Sequence, residues 1–161
     1  MSRQTMRMEL LQQLQDRYAQ GTEIIGEGFQ QALLVKAEYL LELMRVLKSG
    51  PAYQFNLLSN LTAVDYLEYF EVVYHLYSLP LRQSFIVKSR CPAEQPQFDS
   101  VVSVWLSADF QEREIYDLLG IKFAGHPDLR RILLPEGFAD HPLRKTYSLM
   151  AAGEEISHAG N

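Results

Sequence analysis

The sequence changes character abruptly after Gly120, and no other feature limits the fold so strongly. Before that position, apolar residues recur with the periods of helices and strands. From residue 121 to 147 neither period is present, and three prolines interrupt the segment. Proline donates no backbone hydrogen bond and disfavours a helix before it, so this segment is expected to be extended. The pattern predicts a compact domain over residues 1–120 and an extended arm and tail over residues 121–161.

Three stretches of the compact part have helical spacing. The first, over residues 5–19, places its apolar side chains four apart. The second, over residues 37–48, has one apolar stripe and ends before a Gly-Pro pair. The third is expected to be capped by Ser107 and to end at Gly120, where a left-handed glycine commonly closes a helix.

The middle of the chain has the period of a sheet. Apolar and polar side chains alternate over residues 70–77, and residues 57–66, 83–88 and 29–35 are expected to be further strands. The gaps between them are short and rich in Ser, Pro and Asn, which favours antiparallel hairpins. The predicted fold class is therefore α+β, with three helices packed on a small, mainly antiparallel sheet and followed by an extended C-terminal arm.

Composition excludes several classes of function. The only cysteine is Cys91, so this chain alone forms neither a disulfide nor a metal site of several thiolates. Its nine glycines make no Gly-x-Gly-x-x-Gly or phosphate-binding loop, so nothing supports NAD or flavin binding. The formal net charge of -5 argues against nucleic acid as a partner. Residues 1–5 lack the apolar stretch of a secretory signal, and no apolar run approaches the roughly 20 residues of a membrane span.

Positive charge is concentrated in the arm. Residues 120–147 carry five cations against three acids, whereas residues 1–119 carry ten cations against fifteen acids. Twenty-eight extended residues, at about 3.3 Å each, could reach about 90 Å. We therefore expect the arm to leave its own domain and to bind a partner, and expect protease to remove it after about Gly120 from the isolated chain.

Several side chains are candidates for chemistry. His126 and His141 each precede a proline, and a metal site is conceivable, but local hydrogen bonding is the simpler interpretation because three or four ligands are not evident. Arg113 and Asp117 have the spacing of an ion pair on one helix face. Glu112 lies on the apolar side of the third helix and needs a partner. The expected partners are a cation of another chain or one of the arm's cations, Arg130, Arg131, Arg144 or Lys145.

The residues around the third helix resemble a known family. The resemblance covers roughly residues 55–147 and rests on irregularly spaced residues, which makes it specific. The residues that carry the resemblance are Leu61-Thr62-Ala63-Val64-Asp65-Tyr66, Phe70 to Leu76, Glu112-Arg113-Glu114, Asp117-Leu118-Leu119, His126, Arg130, Ile132-Leu133 and His141-Pro142-Leu143-Arg144-Lys145. The family is that of the C-type subunit, or 30 kDa-type subunit, of the proton-translocating NADH:quinone oxidoreductase, respiratory complex I.

The resemblance implies a peripheral-arm subunit without a cofactor of its own. FMN, iron–sulfur clusters and quinone are then expected in neighbouring subunits, and the partners are the D-type, quinone-site subunit and the iron–sulfur subunits. The location implied is the cytoplasmic face of the cell (inner) membrane, reached only through the complex. No catalytic, cofactor-binding or metal residue is predicted; the expected partner-contacting residues are Glu112, Arg113, Glu114, Asp117, His126, Asp128, Arg130, Arg131, Ile132, Leu133, Leu134, His141, Arg144 and Lys145.

Other assignments stay open at this level. The equivalent subunit of a membrane-bound hydrogenase, a formate hydrogenlyase or the photosynthetic NDH complex has the same architecture. A metal-dependent hydrolase using His126 and His141 is a second alternative. An RNA-binding arm is a third, although Phe123 and Phe138 are the only aromatic residues between Lys122 and Arg144, and stacking on RNA bases needs more.

Overall fold

A computed structural model describes residues 2–148; the remainder of the predicted tail, residues 149–161, lies outside the described residues. The helices are α1 (Arg3–Arg17), α2 (Ala37–Ser49) and α3 (Ala108–Leu119), and one turn of 3-10 helix spans Gly28–Gln30. The strands are β1 (Thr22–Ile25), β2 (Ala32–Lys36), β3 (Leu57–Asp65), β4 (Tyr69–Ser78), β5 (Gln83–Pro92), β6 (Gln97–Asp99) and β7 (Lys122–Ala124).

Five of the strands form the main sheet, in the order β1-β2-β5-β4-β3. Every neighbouring pair is antiparallel except β2 and β5, which run parallel. The chain between these two strands contains α2, β3 and β4. The pair β6 and β7 forms a separate, parallel two-stranded sheet. The predicted α+β class, with three helices and a mainly antiparallel sheet, is confirmed.

One hydrophobic core joins the sheet to the helices. The alternating side chains of β4, from Phe70 to Leu76, are almost fully buried, and they belong to the same cluster as the apolar stripes of α1 and α2. Trp105 is also buried there and donates from its indole nitrogen to the carbonyl of Phe55 at 3.1 Å. The amphipathic patterns seen in the sequence are thus the inner faces of these elements.

The structure differs from the sequence pattern at three short elements. The predicted strand over residues 29–35 is a 3-10 turn followed by β2, and it is preceded by the unpredicted β1. Residues 91–98, which lie outside the predicted strands, contain the end of β5 and the start of β6. Beyond Gly120, where no strand was expected, β7 pairs with β6. Each of these elements is short, and a strand of three or four residues leaves too few side chains to establish a period.

Helix α3 packs against β3, one of the two edge strands of the main sheet. Gln111 accepts a hydrogen bond from the backbone nitrogen of Leu61 at 2.6 Å, and the Ser107 hydroxyl donates to the carbonyl of Leu58 at 3.3 Å. Ser107 does precede the helix, but its side chain makes no hydrogen bond to the helix backbone. An uncovered edge strand invites pairing with other chains. These contacts fix α3 against β3, and α3 in turn positions the arm.

Candidate partner interface on α3 and the arm

A buried carboxylate at the end of α3 holds the beginning of the arm. Asp117 is 0% exposed. Its Oδ1 atom accepts a hydrogen bond from Arg131 at 2.8 Å. Its Oδ2 atom accepts the backbone N–H groups of three successive arm residues, Ile132 at 3.1 Å, Leu133 at 2.8 Å and Leu134 at 2.9 Å. Both carboxylate oxygens are therefore used inside the chain, and the backbone of the arm follows a path that one side chain dictates.

The surroundings of Asp117 favour its charged form. Burial by itself raises the pKa of this carboxyl, but the N–H groups of Leu134, Leu133 and Ile132, together with the Arg131 guanidinium, hold the pKa below its ordinary value. Hydrogen bonds to the charged form outweigh desolvation here because several donors converge on one carboxylate. The ionised side chain thus stabilises the folded position of the arm.

The expected ion pair between Arg113 and Asp117 is absent among the described residues, because Arg131 occupies that carboxylate. Arg113 instead donates to the backbone carbonyls of Arg130 at 3.2 Å and Arg131 at 3.4 Å, and its guanidinium lies 5.6 Å from the ring of Phe110. Its contacts still join α3 to the arm. The prediction failed because helical spacing identifies neighbours on one helix but not competitors from a distant segment.

The arm then returns to cap the C-terminal end of α3. The backbone nitrogen of Leu143 donates to the carbonyl of Leu118 at 3.1 Å, and Arg144 donates from Nε to the carbonyl of Leu119 at 2.6 Å. The last carbonyls of a helix have no partner within the helix, and the negative end of its dipole attracts cations. Part of the arm's positive charge is therefore used on its own domain.

Close approach of the arm requires a glycine at the end of α3. Gly120 closes the helix with a φ of 73°, in the left-handed region. A Cβ atom there would lie 2.6 Å from Nη2 of Arg144 and 2.6 Å from Nε2 of His141. His141 lies this close because its Nδ1 atom donates to the carbonyl of Asp117 at 2.9 Å. Gly120 thus permits both the turn and the contact.

A third contact joins the arm to the end of β3. The backbone nitrogen of Lys145 donates to Oδ2 of Asp65 at 2.8 Å, while Oδ1 of Asp65 accepts from the backbone of Leu67 at 2.7 Å. Residues 131–145 are therefore attached to their own domain at both ends. The docking of the arm on a partner and its cleavage after about Gly120 stay predictions, while in this chain the arm contacts its own domain. The prolines were visible in the sequence, but the carboxylates that hold the arm were not recognisable as its partners.

His126 and His141 both make local hydrogen bonds. The Asp128 backbone nitrogen donates to Nδ1 of His126 at 3.0 Å, so the other ring nitrogen, Nε2, donates to the carbonyl of Asp109 at 3.1 Å. This contact holds the arm near the start of α3. Within residues 2–148, no group of three or more His, Cys, Asp and Glu side chains is arranged to hold a metal ion. The simpler interpretation of the two histidines agrees with these contacts.

Glu112 is buried as predicted, but the prediction that its partner is a cation is wrong. The side chain is 0% exposed and accepts hydrogen bonds from the Ser100 hydroxyl at 2.6 Å and from the backbone nitrogen of Val101 at 2.7 Å. Burial raises the pKa of Glu112 to about 7, although these two hydrogen bonds act in the opposite direction. Ser100 and Val101 carry no charge, which explains why a search for opposite charges missed them.

Large apolar side chains project into solvent from α3, from the turn before it and from the arm. Leu106 is 84% exposed, Phe110 61%, Leu143 60% and Leu133 58%. Of the three successive apolar residues predicted to contact a partner, Ile132, Leu133 and Leu134, only Leu133 is exposed, and its two neighbours are half-buried. Sequence reasoning missed Leu106, Phe110 and Leu143. The sequence indicated them only by an apolar residue at a position where the helix period, or a loop, predicts an exposed side chain.

The remaining predicted contact residues divide into two groups. Glu114 and Lys145 are exposed, and so are Asp128 and Arg130, which form a solvent-facing ion pair at 2.9 Å. By contrast, Glu112 and Asp117 are enclosed in this chain, and Arg113, Arg131, Ile132, Leu134, His126, His141 and Arg144 are half-buried by contacts between the arm and its domain. The outward set consists of exposed leucines, a phenylalanine and charged side chains on or beside α3 and on the arm. We name it the α3–arm surface (Leu106, Phe110, Leu133, Leu143, Glu114, Asp128, Arg130 and Lys145).

The sequence matches subunits of respiratory complexes along most of its length. The family described as respiratory-chain NADH dehydrogenase, 30 Kd subunit, matches residues 33–152. The C-type subunit of NADH-quinone oxidoreductase from Moorella thermoacetica is 48% identical over 126 residues, which cover 77% of this chain and 84% of the relative. Its counterpart from Geobacter metallireducens is 46% identical over 125 residues, covering 75% of this chain and 76% of that relative.

Two solved structures share the fold. A trypsin-resistant fragment of Nqo5, residues 1–134, is 38% identical, with a TM-score of 0.64, and the match covers 74% of this chain and 98% of the fragment. A chain of the archaeal membrane-bound sulfane sulfur reductase has a TM-score of 0.74 over 96% of this chain and 92% of its own length, at 23% identity, which indicates a common fold alone.

These matches define the class as a subunit of a multi-subunit respiratory oxidoreductase. Within that class, the chain belongs to the family of the 30 Kd subunit of respiratory-chain NADH dehydrogenase, whose bacterial relatives are the C-type subunits of NADH-quinone oxidoreductase. The family predicted from the sequence is confirmed. None of the helices described in residues 2–148 is long and apolar enough to cross a membrane.

Replacing Asp117 by Asn should release the arm. The amide has one acceptor oxygen and no charge, so several of the four donors lose their partner, and we expect a loss of about 3 kcal/mol in the free energy of unfolding. Asp128→Asn, which removes an exposed ion pair, should change stability by less than about 0.5 kcal/mol. Urea unfolding measures both. Because the pKa of Asp117 is lowered, the difference in the free energy of unfolding between wild type and Asp117→Asn should be present above about pH 4 and should disappear at lower pH. Equal free energies of unfolding at pH 7 would contradict the role of Asp117 in holding the arm.

Glu112 should make stability fall as the pH rises. The folded state binds its proton with a pKa of about 7, compared with an ordinary value of 4.5. Between these values the folded state holds a proton that the unfolded state has released, so stability falls with rising pH. Relative to Glu112→Gln, the free energy of unfolding of the wild type should fall by up to about 3 kcal/mol between pH 4.5 and pH 7. Glu114→Gln, at an exposed neighbour, is the control; parallel curves for wild type and Glu112→Gln would show that the pKa of Glu112 is not raised.

Proposed function

We propose that this chain is a peripheral-arm subunit of an NADH:quinone oxidoreductase, free of cofactors itself, that holds the D-type, quinone-site subunit with its α3–arm surface. The observation that carries the proposal is Leu133, a large apolar side chain that is 58% exposed although its backbone is fixed by Asp117. Burial of a leucine whose backbone is already held in place removes apolar surface from water with little loss of conformational entropy, which favours an interface.

The surface has the composition of a protein-binding site. Four apolar side chains can fill grooves on a partner, and exposed charges such as Glu114 and Lys145 can form the polar margin. The arm is already ordered by its three contacts with α3 and β3. Binding therefore loses little conformational entropy, which favours a stable contact between subunits. Residues 121–148 would then bind the partner with their outward side chains while their inward groups remain attached to their own domain.

The rest of the electron path is proposed to lie in neighbouring subunits. FMN and iron–sulfur clusters would carry electrons from NADH, and quinone would bind at the quinone-site subunit, with electron transfer coupled to proton translocation. The iron–sulfur subunits of the peripheral arm are further proposed neighbours. The chain would sit at the cytoplasmic face of the inner membrane and reach that membrane only through the complex. The names of the relatives, which are subunits of NADH-quinone oxidoreductase, support this assignment.

A related complex is the alternative. The equivalent subunit of a membrane-bound hydrogenase, formate hydrogenlyase or photosynthetic NDH complex would use the same surface, and the archaeal sulfane sulfur reductase chain shares the fold. The identity of 48% to a bacterial NADH-quinone oxidoreductase subunit, against 23% to the archaeal chain, favours the NADH:quinone form. Genes for an NADH-binding flavoprotein beside this one would support that form, and nickel-binding cysteine motifs in the large subunit would support a hydrogenase.

Replacing Leu133 by Asp should remove the chain from its complex. A charge at the centre of an apolar contact costs about 2 kcal/mol or more, which is a loss of about 30-fold in affinity. The measurement is the amount of the quinone-site subunit that co-purifies with a tagged copy of the chain from membranes. We expect it to fall by about that factor, with the free energy of unfolding unchanged because Leu133 is exposed.

The matched control is Leu79→Asp. Leu79 is 54% exposed but lies in the turn between β4 and β5 and is not part of the α3–arm surface. This variant should retain the quinone-site subunit at the wild-type level. Equal retention by Leu133→Asp and wild type would refute the proposed interface, and loss in both variants would place the contact elsewhere.

A further inference from the structure

A second feature lies outside the α3–arm surface and is not used by the proposed function. Between α1, the 3-10 turn and the turn from β4 to β5 there is an open cavity of about 230 Å³. Its walls include Arg7, Phe29, Tyr77, Arg82 and Gln83. Two of these side chains are cations, and no Asp or Glu lines the cavity. In a chain with a net charge of -5, this is a local excess of positive charge.

Arg7 is a buried cation without a carboxylate partner. Its side chain is only 9% exposed, and it donates to the backbone carbonyls of Phe29, at 3.3 Å, and Gln31. Its Nε atom is buried with no hydrogen-bond partner in the described chain, and none of the ion pairs found in residues 2–148 includes it. Buried charges are ordinarily paired, because desolvation is expensive. Burial accordingly lowers the pKa of Arg7.

A second unpaired donor lies in the same cavity wall. Gln83 is 7% exposed, and its Nε2 atom is buried without an acceptor among the described residues. The preceding residue, Arg82, has an exposed side chain and a backbone φ of 49°, which directs the turn between β4 and β5. Three nitrogen-rich side chains from two distant parts of the chain thus meet at one cavity.

A purely structural role does not account for this arrangement. The two carbonyl bonds of Arg7 hold the 3-10 turn against α1, but carbonyls do not neutralise a guanidinium charge. They also leave Nε free, and they do not involve Gln83. A bound group that carries negative charge would neutralise the guanidinium and offer an acceptor to donors in this wall.

We propose that this cavity binds an oxyanion, a carboxylate or a phosphate group. Arg7 and Gln83 would supply the inner hydrogen-bond donors, and Arg82 would supply charge at the opening. A water molecule takes up about 30 Å³ in the liquid, so the cavity has room for such a group. The exposed ring of Phe29 and the half-buried ring of Tyr77 would contact any apolar extension that the anion carries. The inference is independent of the role proposed for the α3–arm surface.

The test is titration of the full chain with sodium phosphate and, separately, sodium acetate. Sodium chloride at the same ionic strength is the reference, and the thermal midpoint and the heat of binding are measured. We expect saturable binding and a rising midpoint with at least one of the two oxyanions, since a ligand that binds only the folded state stabilises it. The stronger probe identifies the class of anion. Repeating the titration with the chain assembled in its complex distinguishes the sources: binding is kept for a free anion and lost where a carboxylate of a neighbouring protein fills the cavity.

Substitutions test whether the anion binds at this cavity. Arg7→Gln should weaken binding by about tenfold or more, because a charge-assisted hydrogen bond is lost. Arg82→Gln, at an exposed side chain, should weaken binding less and should fold normally. If the Arg7→Gln protein is unstable, binding by the Arg82→Gln protein is the test of the site. Arg45→Gln, at an exposed position of α2, is the matched control and should bind as the wild type does. A midpoint shift that chloride reproduces, or equal binding by the Arg82→Gln and Arg45→Gln proteins, would overturn the proposal.

Discussion

The carboxylate of Asp117 organises the part of the chain that has no regular structure of its own. Three successive backbone N–H groups and one guanidinium converge on it, so residues 131–134 follow a fixed path without belonging to a helix or a strand. The charge is buried, and such a charge is tolerated only when its hydrogen-bonding capacity is used. The surface position of Leu133 follows from this interaction, because the same bonds that hold its backbone leave its side chain outside.

Helix α3 and the arm stabilise each other. The helix supplies the carboxylate and its free C-terminal carbonyls, and the arm supplies Leu143 and Arg144 to satisfy those carbonyls. Gly120 allows the approach because it has no Cβ. The acidic domain and basic arm seen in the sequence are therefore partly complementary within one molecule. The side chains that remain outward are the apolar ones and the charges around them, and these are the groups that another protein of the complex could contact.

The long, periodic elements could be predicted from the sequence, whereas the path of the arm could not. Apolar periods identified the three helices and strands β3, β4 and β5, because burial of one face leaves a repeat in the side chains. The family could also be recognised, since its irregular residue spacing survives in this chain. Strand β7 was missed because it has three residues and a partner far back in the sequence. The folding back of the arm was missed because backbone donors at residues 132–134 leave no trace in side-chain pattern. Glu112 was correctly placed in the interior, but its neutral partners could not be found from charge.

The contacts of Asp117 imply that the arm is ordered on its own domain before any partner binds, and amide hydrogen exchange of the isolated full chain tests this most directly. The N–H groups of Ile132, Leu133 and Leu134 should exchange slowly at neutral pH, with protection close to that of the α3 amides, since their opening requires the Asp117 carboxylate to lose its donors. Exchange of these three amides at the rate of an unstructured peptide, while α3 remains protected, would contradict this order of events and would mean that the arm takes its structure only from a neighbouring protein.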